Sequence, residues 1–350
     1  MTLLSALAGD PEIEELLSDA AQLRAMLGFE RALAEASAEA GWVSEAAAAA
    51  VGSAVDGFTP DWAGLAAGMA QDGVVVPALV RQLRAGIAEP HRAALHRGAT
   101  SQDVIDTALM LQLVQVFDVY ERRLGALLDR LGALQSAWAG TPLMAHTRMQ
   151  VALPTSWDAK ISSWAEPLKR HLRSLAAMRR SLLVVQLGGP VGDRGSFEGH
   201  GDAIAAAMAR RLDLGVAEPW QATRDPVVAL GNLLALISGS LGKIGMDVTL
   251  LAQNEVGALK LAGGGGSSAM AHKSNPVNAE VLVALARFNA GLSGTLAQAL
   301  VHENERSGAA WTLEWLTLPQ MLATTGASLR LAALLLEQLR LGETKDEANG

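Results

Sequence analysis

The sequence predicts an all-α protein built from long helices, and three observations carry that prediction. Apolar residues recur every three or four positions along most of the chain, the interval at which one face of a helix returns. Alternation of apolar and polar residues, the mark of a half-buried strand, is scarce. Half of the 350 residues are hydrophobic but only 4% are aromatic. The apolar mass is therefore Ala, Leu and Val, and small side chains let helices approach closely.

In chain order, the first long stripe spans Ala20 to Ala40. Ala46 to Ala50 adds high helix propensity. Val74 to Val76 is the one β-like stretch, and Pro77 cuts it short. Helical periodicity resumes over Val104 to Val119 and is clearest in Tyr120 to Trp138. There Leu124, Leu127, Leu128, Leu131, Leu134 and Trp138 share a face, with Arg122, Arg123, Asp129 and Arg130 between them. Gly140 and Pro142 stop that helix. Further helices are expected over Ser156–Val185, Gly201–Leu212, Pro226–Lys260, Pro276–Val301 and Leu318–Leu341. At 1.5 Å per residue the segments starting at Ser156, Pro226 and Pro276 would each be about 40–50 Å long. The expected organisation is an N-terminal helical domain over 1–100, a central long-helix bundle over 101–341 and a polar tail over 342–350.

Charged residues make up 18%, against about 25% in ordinary globular chains, and the mean hydropathy is +0.22. A chain this apolar either buries surface between subunits or touches a membrane. The longest uncharged helical stretch, Pro226 to Gly242, contains Asn232, Ser238, Ser240 and several glycines. It reads as a buried bundle helix rather than a span. The N-terminus has no basic region and soon turns acidic, unlike a signal peptide. The absence of cysteine excludes disulfides, thiolate metal sites and a Cys nucleophile, and a cytoplasmic location is expected. A net charge of −8 argues against a nucleic-acid partner. It leaves room for an anionic small substrate held by local cations. Neither a metal nor an organic cofactor is expected. No HExxH or EF-hand pattern occurs, and Gln186 to Gly192 reads as a turn without the acid of a dinucleotide site.

Three loops interrupt the helices: HRGATSQD at 96–103, MAHTRMQVALP at 144–154 and GGGGSSAMAHKSNP at 263–276. Gly263 to Gly266 cannot be a stable helix interior and marks a hinge. Behind it, Asn275 as N-cap and Pro276 at the first helical position signal a helix start. The loop is either a plain capped connection or a lid carrying the hydroxyls of Ser267 and Ser268, the Lys273 cation and the Asn275 amide onto an anion. Thr100 or Ser101 followed by Asp103 fits a capping box, and a capped helix start still presents free N–H groups to a carboxylate. In HENERSG at 302–308, Arg306 is a candidate cation or part of a solvated turn. Trp311 and Trp315 read as core.

The string GSSAMAHKSNP resembles the signature loop of the fumarase/aspartase superfamily, GSSxMPxKxNP, with Ala271 in place of Pro. His96 to Asp103 resembles the superfamily's first block, and Thr147 to Gln150 with Ala152 to Pro154 its second. The continuation of the first block and the stretches at 18–34 and 302–319 are most similar to the branch that lactonises carboxylated muconates. The resemblance runs from about residue 10 to residue 330. It implies a small N-terminal helical domain beside a long central bundle. A third, C-terminal domain common in the family is expected to be absent.

The resemblance further implies a mechanism through an aci-carboxylate, which needs preorganised cations and N–H donors. It casts Ser267 as the residue that moves the α-proton and His96 as a second catalytic candidate, binding or shuttling protons. Thr100, Ser101, Gln102, Arg148, Gln150, Ser268, Lys273, Asn275 and Arg306 become the candidates for binding a small tricarboxylate. Amine-releasing members carry His where this chain has Arg148. A guanidinium keeps its proton far above neutral pH and cannot be that general acid. A lactonising enzyme needs none, because its nucleophile and leaving group is a carboxylate. Arg148 would then grip a substrate carboxylate, or else pair with a neighbouring Glu. The expected activity is cycloisomerisation in a homotetramer with composite active sites. The alternatives are a C–N lyase resembling adenylosuccinate lyase and a catalytically silent protein on the same scaffold.

Overall fold

The computed structural model describes residues 3–266, 270 and 273–342. The order of elements is α1 (Leu3–Ala8), α2 (Pro11–Leu16), α3 (Asp19–Glu39), α4 (Glu45–Asp56), α5 (Trp62–Asp72), α6 (Val76–Ala85), α7 (Ser101–Ala137), β1 (Pro142–Thr147), β2 (Gln150–Ser156), α8 (Trp157–Leu182), α9 (Gly201–Leu212), α10 (Asp225–Leu251), β3 (Leu259–Leu261), α11 (Val277–Gln298), α12 (Gly308–Gln338) and β4 (Leu339–Leu341). The helical fold class is as the periodicity predicts. Local chemistry sets several helix starts. Ser18, Ser44, Asp61, Ser156 and Ser307 each accept an N–H from the first turn of α3, α4, α5, α8 and α12, a contact that removes one orphan donor.

The chain forms two hydrophobic cores. The larger lies among α7, α8, α10, α11 and α12 and buries the predicted stripe of Leu124, Leu127, Leu131 and Leu134. Trp138 closes the end of α7 with its ring edge against Trp157, centroids 5.0 Å apart. Helices α10 and α11 touch so closely that a Cβ on Gly245 would stand 2.5 Å from the Ala279 carbonyl oxygen, and one on Gly242 2.5 Å from the Ala286 Cβ. Helix α10 is long and apolar enough to cross a membrane, yet 56% of its apolar window is buried in this bundle. The smaller core gathers Phe29, Leu33, Leu79 and Leu83 from the first helices. It also takes in Ile204 and Met208 of α9, far later in the chain.

Four local expectations are corrected. The stripes over 104–119 and 120–138 belong to one helix of 37 residues, α7. Val74 to Val76 forms no strand: Val76 opens α6 with Pro77 in the first turn, where a missing N–H leaves no bond unmade. The helix expected to reach Lys260 ends at Leu251, and Leu259–Leu261 instead pairs antiparallel with Leu339–Leu341. The 144–154 segment is a β-hairpin rather than a loop.

Candidate active site

The first block is built around the N-terminus of α7. Gly98 has φ +75°, and a Cβ there would lie within 3 Å of both the Phe197 and Trp42 rings, so only glycine fits. Thr100 caps α7 and Asp103 completes the capping box. The buried Asp103 carboxylate accepts four N–H groups: Gly188 at 2.7 Å, Gly189 at 3.0 Å, Thr100 at 3.0 Å and the Gln186 side chain at 3.1 Å. These bonds pin the turn after α8 onto the start of α7. Burial pushes the Asp103 pKa up to about 6, while the four donors pull it down.

One helical turn further in lies a buried ionic cluster. Arg224 is 1% exposed. It donates to Asp106 at 2.7 and 3.1 Å and to Glu314 at 2.9 and 2.5 Å. Two carboxyl groups thus share one guanidinium in the core. Burial raises the Glu314 pKa against the pull of Arg224. His302 Nε2 stands 3.6 Å from Glu314, and burial and then Arg224 push its pKa down.

His96 Nδ1 lies 2.7 Å from Oε1 of Glu30, a carboxylate fully buried in α3. Burial alone would lower the His96 pKa, but the Glu30 charge and hydrogen bond outweigh it and the pKa is raised. The ring therefore holds its proton to higher pH than an ordinary histidine, and Nε2 lies on its other edge. Thr100 and Ser101 are half-buried, whereas Gln102 is fully buried. The Gln102 amide nitrogen donates to Asp106 at 3.1 Å and to the Gln221 carbonyl at 2.9 Å. Its amide oxygen accepts the Arg306 Nε–H at 3.0 Å. The first block and the 302–306 segment, so far apart in sequence, thus meet.

The second block is the β1–β2 hairpin, closed by a two-residue turn between Thr147 and Gln150. Arg148 and Met149 occupy that turn with φ of 49° and 65°, the left-handed pair that a type I′ turn requires. Arg148 and Gln150 line a cleft of about 870 Å³ with His146, Lys160 and Asp247. Among the described residues no carboxylate pairs with Arg148, so the alternative of an ion pair with a neighbouring Glu finds no partner here.

The third block is closed at its neck. Gly265 and Asn275 exchange backbone hydrogen bonds of 2.9 and 2.8 Å. The Asn275 side chain turns back to the Gly266 carbonyl at 3.3 Å. Asn275 therefore does not cap the helix: α11 starts at Val277 after Pro276, with no side-chain cap. Lys273 is exposed. Ser267 and Ser268 lie outside the described residues, as does Ala271. Among the described residues, no hydrogen bond or ion pair joins the three blocks to one another within one chain.

Glu30, Gln221, Arg224 and Glu314 support this site and were not singled out from the sequence. For Glu30 a signal was present, since it is a carboxylate beside Phe29 and one turn from Met26 and Leu33, where an unpaired charge is rarely tolerated.

A family described as lyase matches residues 10–288. The 3-carboxy-cis,cis-muconate cycloisomerase of Pseudomonas aeruginosa is 39% identical over 342 residues, covering 95% of this chain and 74% of that protein. The crystal structure of the 3-carboxy-cis,cis-muconate lactonizing enzyme from Pseudomonas putida superposes with a TM-score of 0.90 at 37% identity, over 97% of this chain and 77% of that one. The nitrosuccinate lyase of Streptomyces davaonensis is 35% identical over 366 residues, covering 99% of this chain and 76% of that protein. With its helical architecture, its three blocks and these matches, the chain belongs to the lyase family of the fumarase/aspartase superfamily.

Proposed function

We propose that this chain is a cycloisomerase that closes 3-carboxy-cis,cis-muconate to 4-carboxymuconolactone, a step in protocatechuate breakdown, in the cytoplasm. The observation that carries this reading is the likeness to 3-carboxy-cis,cis-muconate cycloisomerases at 39% and 37% identity along nearly the whole chain. Arg148 supports it. A guanidinium without a carboxylate partner suits a tri-anionic substrate and is unsuited to protonating a leaving amine.

One substrate carboxylate oxygen forms a C–O bond to the far carbon of a conjugated double bond, and the electron pair moves onto the carbon beside another carboxylate. The resulting aci-carboxylate takes one proton at that carbon, so a trianion becomes a dianion. Ser267 delivers the proton. Arg148, Arg306, Lys273 and His96 stabilise the developing charge, and Thr100, Ser101, Gln150, Ser268 and Asn275 hold the carboxylates. Among the described residues the three blocks do not join within one chain, which supports a homotetramer whose active sites combine loops of several subunits.

Adding the purified protein should abolish the absorbance of the conjugated muconate. Ser267→Ala should fold normally and lose about 10²-fold or more in kcat. Near-normal turnover by that variant would sink the assigned proton carrier. The 35% identity to a nitrosuccinate lyase names the competing reading. Consumption of nitrosuccinate with no change in the muconate would replace the cycloisomerase by a C–N lyase.

A further inference from the structure

We infer that Gln102 is a positioning residue that fixes the Arg306 guanidinium so that its outer edge receives a substrate carboxylate. The inference rests on the proposed role of Arg306 as a substrate ligand and says what makes that role possible.

The Gln102 side chain is fully buried, and both of its N–H groups are taken. Its partners on that side, Asp106 Oδ2 and the Gln221 carbonyl, are acceptors only. The amide nitrogen must therefore face them and the amide oxygen must face Arg306, so no flipped arrangement satisfies the network. The nitrogen side is rigid because Asp106 is clamped by Arg224, which Glu314 clamps in turn. A buried amide so engaged has no donor left to offer a ligand. What it offers is a directed acceptor.

Arg306 meets that acceptor with Nε–H at 3.0 Å and sends Nη2 to the Pro190 carbonyl at 3.2 Å. Both bonds use one side of the planar fork. The opposite edge, Nη1 with the second Nη2 hydrogen, remains for a bidentate carboxylate. The two acceptors are neutral, so they orient the cation without cancelling its charge. Among the described residues no carboxylate pairs with Arg306, and the residue is exposed. Arg224, on the other side of Gln102, is the contrast, with two carboxylates and no exposure. Gln102 thus separates a neutralised buried guanidinium from an oriented one left open to a ligand.

The test is a double-mutant cycle on the full-length protein with 3-carboxy-cis,cis-muconate as substrate. Gln102→Met keeps the volume and removes the acceptor. It should raise KM about tenfold while kcat changes less than about threefold. Arg306→Ala should raise KM further, and the double variant should be no worse than Arg306→Ala alone. Multiplying effects would show that Gln102 does not act through Arg306 and would overturn the inference, as would an unchanged KM in Gln102→Met. If Gln102→Met fails to fold, Gln102→Asn, whose oxygen is withdrawn by one methylene, should show the same KM-led loss. An unchanged KM there overturns the inference equally. An unchanged KM in Arg306→Ala would remove the underlying role of Arg306, an outcome distinct from failure of the positioning step alone.

Discussion

His96 sits between opposing effects. Its burial disfavours a charged ring, while the Glu30 carboxylate 2.7 Å away favours one. The carboxylate prevails, and the imidazole pKa rises above its ordinary value. The sign follows. The cation, and the stability its pairing adds, are fully present below the ordinary histidine pKa and are lost as pH rises through the raised one. If the cation helps hold the trianion, kcat/KM should fall on the alkaline side of that raised value. Glu30→Gln removes the attraction but keeps the burial, so the ring should lose its proton at lower pH. The alkaline limb of the kcat/KM profile should then move toward acid, with an activity loss on that limb that lowering the pH restores. An unmoved limb would mean that the charge on His96 plays no part in turnover. Conversely, Asp103 is held by four backbone and side-chain donors. Its role is to fix the frame in which His96, Thr100 and Ser101 stand.

The β1–β2 hairpin shows where local sequence is informative and where it is not. The helices were legible because one face of each is apolar and the other polar, and the Thr100–Asp103 capping box was legible because its partners are three residues apart. The hairpin was missed because its outward positions are apolar as well. Val151 and Leu153 are 67% and 75% exposed, so the alternation that announces a strand is erased. Strands β3 and β4 are three residues each, too short for any period. The Gln102–Arg306 contact spans 204 positions and follows only from the packing of α7 against the approach to α12. The same hairpin carries a prediction. Two consecutive left-handed residues without a glycine cost about 1–2 kcal/mol each. Met149→Gly should relieve part of this, raising stability to urea by about 0.5–1 kcal/mol with Arg148 left in place. A loss of stability would show that the Met149 side chain is held by contacts outside the single chain.

Across the whole molecule, apolar exposure and the separation of the described parts of the three blocks point to the same explanation. Leu236 of α10, Phe288 of α11 and Leu316 of α12 are 60%, 48% and 61% exposed on the bundle, and charged residues make up only 18% of the chain. A bundle that leaves large side chains in water on three helices suits association through those helices. Association would also let the hairpin of one subunit approach the signature loop of another. The consequence is a complementation test. Arg148→Ala and Ser267→Ala should each be nearly inactive alone. Unfolded together and refolded as a mixture, they should regain up to about a quarter of wild-type activity, because random association returns some sites in which both loops are intact. If both loops of a site come from one chain, every site keeps one lesion and no activity returns. That outcome, or an active monomer by light scattering, would confine the whole site to a single subunit.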